Sequence, residues 1–209
     1  MGRGEAGGEG RRMTEYRPCH DHDLWVHLTD AEIDAAIQHG AKMRRTSKAR
    51  NYREGKGGFG HRPSTDRERM RAQCLGALAE GIVLKACAPD AELTSETFNV
   101  ADLPGDLQVR SITKEFYGLV VRPDDEPQWK VIGAVIPEGR ERISPYRIPG
   151  WRNANDARQH PEWIIRPHGG PPIWAVPQEE LNDALELISP QADLTALMRL
   201  VRRQWSMVL

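Results

Sequence analysis

One change of hydrophobic period constrains this chain more than anything else. Up to about Pro89 apolar residues recur at helical spacing, and after it they fall into short β-rich runs. In "LTDAEIDAAIQHGAKMRRTSKAR", Thr29 is placed to cap a helix, Glu32 follows three residues later, and Ile33, Ala36 and Ile37 share one face. The Gly-rich "REGKGGFGHRPST" is a loop. Thr65 or Asp66 then opens a second helix reaching about Cys87, with Leu75, Leu78, Ile82 and Val83 as its buried side. Beyond Pro89, "ETFNVA", "DLQVRSIT", "YGLVVRP" and "WKVIGAVIP" read as strands joined by short turns, and an antiparallel meander is expected. "PYRIPGW" is a further extended piece, "NANDARQHPEW" a short helix capped by Asn153 or Asn155, and "PPIWAVP" another strand. "QEELNDALELIS" and "PQADLTALMRLVRRQW" close the chain as helices. The order defines an α+β (mixed α/β) class.

At 209 residues the chain is long enough for one domain with a substantial core and some decoration. The expected organisation is a tail over 1–28, a basic helix and Gly-rich loop over 29–65, a core over 66–188 and a terminal helix over 189–209. No run approaches the eighteen or so apolar residues of a membrane helix. "MGRGEAGGEGRR" lacks the apolar stretch of a signal peptide and reads as a floppy tail, with Met13 as an alternative first residue. Cys19, Cys74 and Cys87 are an odd number, and two fall in a helical apolar segment. That is the usage of reduced thiols in a cytoplasm.

The net charge of −1 conceals an uneven distribution. Residues 41–71 hold eleven Lys or Arg against three acids, a local excess of +8, while both flanking stretches are acidic. Such a segment is suited to the phosphate backbone of nucleic acid, with Arg44, Arg45, Lys48, Arg50 and Arg53 as the contacts. The plainer reading is a solvated helix and loop.

The chemistry-bearing residues lie further on. Gln73, Gly76 and Glu80 share one helix face amid the small residues of "CLGALAEG", which would let a strand or a substrate backbone come close. "VADLPGDLQVRS" reads as a hairpin with Asp102 at its turn and with Gln108 and Arg110 on one strand face. If that hairpin packs beneath the helix, Glu80, Asp102 and the amide oxygen of Gln108 converge as hard ligands for magnesium. Arg110 would then hold the phosphate or stabilise its charge. Asp106 is an alternative to Asp102, since it shares a strand face with Gln108.

On these residues the chain resembles the PD-(D/E)XK nuclease-like superfamily, in particular its small phage and actinobacterial members. The matching residues are Gly76 and Glu80 of "GALAE", then Asp102, then Gln108-Val109-Arg110. The likeness spans roughly 66–181. It implies a restriction-endonuclease-like αβββαβ core, a divalent Mg2+ or Mn2+, and hydrolysis of DNA phosphodiester bonds. Two departures stand out. Gln108 replaces the second acid and removes one negative charge, and Arg110 replaces the lysine with a cation that cannot serve as a base. A catalytically inactive nucleic-acid-binding module on the same fold, or a phage structural or interaction protein, are the alternatives.

Other motifs carry less. "CHDHD", Cys19 to Asp23, looks like a metal box, but adjacent residues cannot all ligate one ion and no partner follows at zinc-finger spacing. His160 and His168 read as surface histidines. Trp129, Trp151, Trp163 and Trp174 read as strand-packing residues.

Overall fold

The computed structural model describes residues 23–49, 65–87, 101–167 and 170–188, and in the first helix side chains only up to Thr46. Helix α1 (Asp30–Ala49) and helix α2 (Asp66–Cys87) both start on reciprocal capping boxes. Thr29 N–H donates to Glu32 Oε2 at 2.6 Å while Thr29 Oγ1 accepts from Glu32 N–H at 3.3 Å. Thr65 and Glu68 repeat the exchange at 2.7 and 3.2 Å. The expected buried side of α2, namely Leu75, Leu78, Ile82 and Val83, is buried.

The two helices pack on each other at Gly40. A Cβ on Gly40 of α1 would lie 2.6 Å from the Gln73 carbonyl oxygen and 2.7 Å from Cys74 Cα. Gly76 has nothing within 4 Å of the same construction.

The described residues form seven strands: β1 (Leu24–Val26), ahead of the helices, then β2 (Leu107–Ile112), β3 (Leu119–Val121), β4 (Lys130–Val135), β5 (Tyr146–Asn153), β6 (Ile164–Ile165) and β7 (Ile173–Val176). One sheet runs β1-β5-β4-β2 and a second β3-β7-β6. The α+β class therefore stands, and the antiparallel meander does not. β2 and β4 are parallel neighbours, with Leu107 opposite Lys130 and Ile112 opposite Val135. β3, which lies between them in sequence, pairs with β7 in the other sheet. Local pattern marks a strand but not its partner, and Leu119 and Val121, both fully buried, are satisfied only in the second layer. "ETFNVA" lies outside the described residues except for Ala101.

The four-stranded sheet is buried on both faces. Val109, Ile132, Ala134 and Ile148 meet Leu78, Ile82 and Val83 of α2 on one side. Ile112, Val131 and Val135 meet Leu119, Val121 and Val176 of the second sheet on the other. Buried from both sides, β4 is apolar almost throughout, as a central parallel strand must be. The register shifts between Gly133 and Val135 opposite β5, and the shift accommodates Pro149, which has no N–H for a regular ladder.

Helix α3 (Ala154–Ala157) is capped by Asn153, whose side chain accepts from Asn155 and Asp156 N–H. The helix expected over "QEELNDALELIS" is instead two 3-10 turns, Gln178–Glu180 and Ala184–Leu187. Between them Asn182 exchanges backbone hydrogen bonds with Trp151 at 2.9 and 3.1 Å, which interrupts any helix. The segment "PQADLTALMRLVRRQW" lies outside the described residues. Among the described residues no helix is long and apolar enough to cross a membrane.

Candidate active site at the open edge of the sheet

Among the described residues β2 is the last strand of its sheet, and no described strand pairs with its edge away from β4. The chain reaches it through a tight turn, Pro104-Gly105-Asp106, closed by reciprocal Leu103 and Leu107 hydrogen bonds of 3.0 and 3.4 Å. The turn requires positive φ at two positions, 78° at Gly105 and 60° at Asp106, which suits glycine and, less readily, aspartate. The hairpin reading of this stretch holds as far as that closing pair. Asp106 is committed to the turn, where its carbonyl accepts Lys130 N–H at 2.8 Å, and it does not join the site.

The turn lays Asp102 along the open edge. Its Oδ2 accepts from Val109 N–H at 2.8 Å and from the Gln108 side-chain amide. The carboxylate thus takes the place a neighbouring strand would occupy. Burial raises the Asp102 pKa, opposed by the Val109 N–H and the positive charges of Arg110 and Arg122. Glu80 approaches from α2. Burial, reinforced by the charge of Asp102, pushes its pKa up to about 8, so Glu80 is mostly protonated at neutral pH. Among the described residues no hydrogen bond or ion pair reaches the Glu80 carboxyl.

Gln108 and Arg110 alternate with Leu107 and Val109 and share the parity of Ile112, which places them on the face toward the second sheet. Asp102 therefore bridges the two sides of the sheet around its edge. The partners of Gln108 and Arg110 in this structure are as follows. Gln108 turns its NH2 group, not its oxygen, to Asp102, because a carboxylate accepts and the amide must donate. Arg110 is itself paired. Its guanidinium pairs with Asp125, which is 4% exposed, and donates to the Val109 carbonyl at 3.1 Å.

Asp125 is the residue that sequence reasoning missed. Arg122 N–H donates to its Oδ2 at 2.8 Å, and Arg158 donates to its carbonyl as well as to that of Arg122 at 2.8 Å. In sequence the only signal was "RPDDEP", which reads as a turn. Nothing in it points fifteen residues back to Arg110.

One or two carboxylates, with water and phosphate in the remaining positions, are the ligands that a hard ion such as magnesium takes. Among the described residues no group of three or more His, Cys, Asp or Glu is arranged to hold a metal.

The other sequence candidates divide. Arg44 is not a surface contact: it is 7% exposed and pairs with Asp66 at 3.0 Å. Arg45 is exposed, with Nε donating to the Ala41 carbonyl at 3.2 Å. Arg50, Arg53 and the side chain of Lys48 lie outside the described residues, as do Cys19, His20, His22 and His168. Asp23 of "CHDHD" is buried on Arg147 at 3.1 Å. His160 stacks on Trp163, ring centroids 3.8 Å apart, and contacts Glu162.

A scan of family models finds no match to the chain, and searches of curated proteins and of solved structures also return none.

Proposed function

We propose that the protein is a metal-dependent endonuclease-like enzyme acting on DNA phosphodiester bonds at the Glu80–Asp102 edge. One observation carries this reading. Two half-buried carboxyl groups lie close enough at the sheet edge for the charge of one to raise the pKa of the other, and Glu80 has no cation or hydrogen-bond donor assigned to it among the described residues. Burying acids in this way costs stability, and such arrangements concentrate at sites of function. Glu80 and Asp102 would hold Mg2+ or Mn2+, and Gln108 could add its oxygen by turning its amide over. A bound divalent ion supplies positive charge against the phosphate and acidifies water. The Gln108 amide and Val109 N–H fix the orientation of Asp102, and Asp125 fixes Arg110 beside it. Arg110 supplies a permanent positive charge and takes no part in proton transfer. Glu80 must release its proton to ligate, so metal uptake and cleavage rise with pH toward about 8.

A second reading, an inactive nucleic-acid-binding module, is favoured by the commitment of Arg110 to Asp125 and by the neutral Gln108. Supercoiled DNA incubated with Mg2+ or Mn2+ separates the two. Nicking that requires metal, and falls by about a hundredfold or more in both Glu80→Gln and Asp102→Asn, is the expected result. Absence of nicking by the wild type, with DNA binding retained, would leave only the binding module.

A further inference from the structure

The C-terminal half of α1 is a surface of one sign. Its acids, Asp30, Glu32 and Asp34, all lie within the first five residues. From Ala35 to Ala49 there is no acid, while Lys42, Arg44, Arg45 and Lys48 are all basic. These cations do not share a face. Arg44 turns inward onto Asp66, as described above. Lys42 and Arg45 are exposed and, with Gln38, His39, Thr46 and Ala35, line an open depression of about 700 Å³. The positions recur at three- and four-residue intervals and so form one stripe along the helix.

Two contacts organise the stripe. Arg45 Nε donates to the Ala41 carbonyl at 3.2 Å and Thr46 Oγ1 to the Lys42 carbonyl at 3.1 Å. They tie those side chains to the helix and leave the terminal nitrogens of Arg45 available to a ligand. In the same depression, His39 Nε2 is buried and has no hydrogen-bond partner among the described residues. A buried ring nitrogen of that kind is costly until a partner reaches it.

We infer that this stripe is where the protein grips the phosphate backbone of a nucleic acid. Lys42 and Arg45 supply the charge, and His39 and Gln38 the hydrogen bonds around it. The inference rests on the nucleic-acid half of the function proposed above and is independent of cleavage. It also replaces Arg44, the contact expected from sequence, with Lys42 and His39.

The test is binding of the full chain to a short fluorescein-labelled DNA duplex, followed by anisotropy across a series of salt concentrations. Each phosphate contact contributes about 0.9 to the slope of log affinity against log salt. Lys42→Ala combined with Arg45→Ala should therefore flatten the slope by about 1.8 and weaken binding at low salt. Lys42→Arg should retain the wild-type slope. Arg44→Ala should lower the melting temperature with the slope unchanged, which separates damage to the fold from loss of contact. His39→Ala should weaken binding with little change of slope. A double variant with wild-type affinity and slope would overturn the inference, as would a wild type that fails to bind duplex at low salt. Displacement of the duplex by polyglutamate would reassign the stripe to acidic peptides and overturn it too. Anisotropy is read without divalent metal, where no cleavage takes place, so a failure of cleavage and a failure of this contact are read separately.

Discussion

Glu80 is an acid held where water solvates its charge poorly, and that has a direct thermodynamic signature. Its folded pKa is about 8 against the ordinary 4.5. Below pH 4.5 both states hold the proton and Glu80 makes no difference to stability. From 4.5 to about 8 the unfolded chain has released the proton and the folded one keeps it. Stability therefore falls as pH rises, by at most about 1.4 kcal/mol per unit, and above about 8 the loss stays constant. Asp102, also raised by burial, adds a smaller fall in the same direction at lower pH. Glu80→Gln removes the Glu80 contribution. The variant should melt well above the wild type at pH 8, with the gap closing toward pH 4.5. Parallel melting curves across that range would show that Glu80 is not held protonated.

Among the elements, the α1–α2 contact sets two glycines against each other. Alanine is the better helix former by about 1 kcal/mol, so in free space either replacement should stabilise. At Gly76 there is free space, and Gly76→Ala should gain up to about 1 kcal/mol. At Gly40 the new methyl meets the backbone of Gln73 and Cys74, which cannot move aside like a side-chain tip. Gly40→Ala should cost about 1–3 kcal/mol of overpacking, enough to outweigh the gain. Urea unfolding of the two variants should shift in opposite directions. The same contrast explains what could be read in advance. The Thr29 and Thr65 caps, the buried side of α2 and the Asn153 cap were legible because each depends on residues within a few positions. The close approach at Gly40 was not, because it depends on a residue thirty-three positions away. The partners of β2 and β3 were hidden for the same reason.

Across the whole molecule, one guanidinium joins distant parts of the chain. Arg147 on β5 holds Asp23, whose side chain is 1% exposed, and donates to the Glu115 carbonyl at 3.3 Å and to Gln178 Oε1 at 2.9 Å. Gln178 in turn donates to the carbonyls of Glu115 and Tyr117 at 2.8 and 2.7 Å. Removing the guanidinium breaks the pair with the buried Asp23 carboxylate and leaves the Glu115 carbonyl and Gln178 Oε1 without this donor, so Arg147→Ala should cost about 3–5 kcal/mol by chemical denaturation. Arg147→Lys should recover little, because a single ammonium cannot reach all three acceptors. Network and candidate site share one lesson. The nearness of Asp102 to Gln108 was legible because the two stand six positions apart around one turn. The roles of Asp125 and Arg147 were not, because each is a common surface residue until the fold buries it.

The pairing of β1 with β5 also has a consequence in time. Asp23 and Arg147 stand 124 positions apart, and Leu24 lies opposite Ile148. At ordinary rates of synthesis, about 5–20 residues per second, the ribosome needs roughly 6–25 s to make the strand that β1 must join. Through that interval Leu24, Trp25 and Val26 have been translated but have no edge to dock on. The helices can form on their own capping residues while they wait. The four-stranded sheet is complete only once β5 has been made, long after β1.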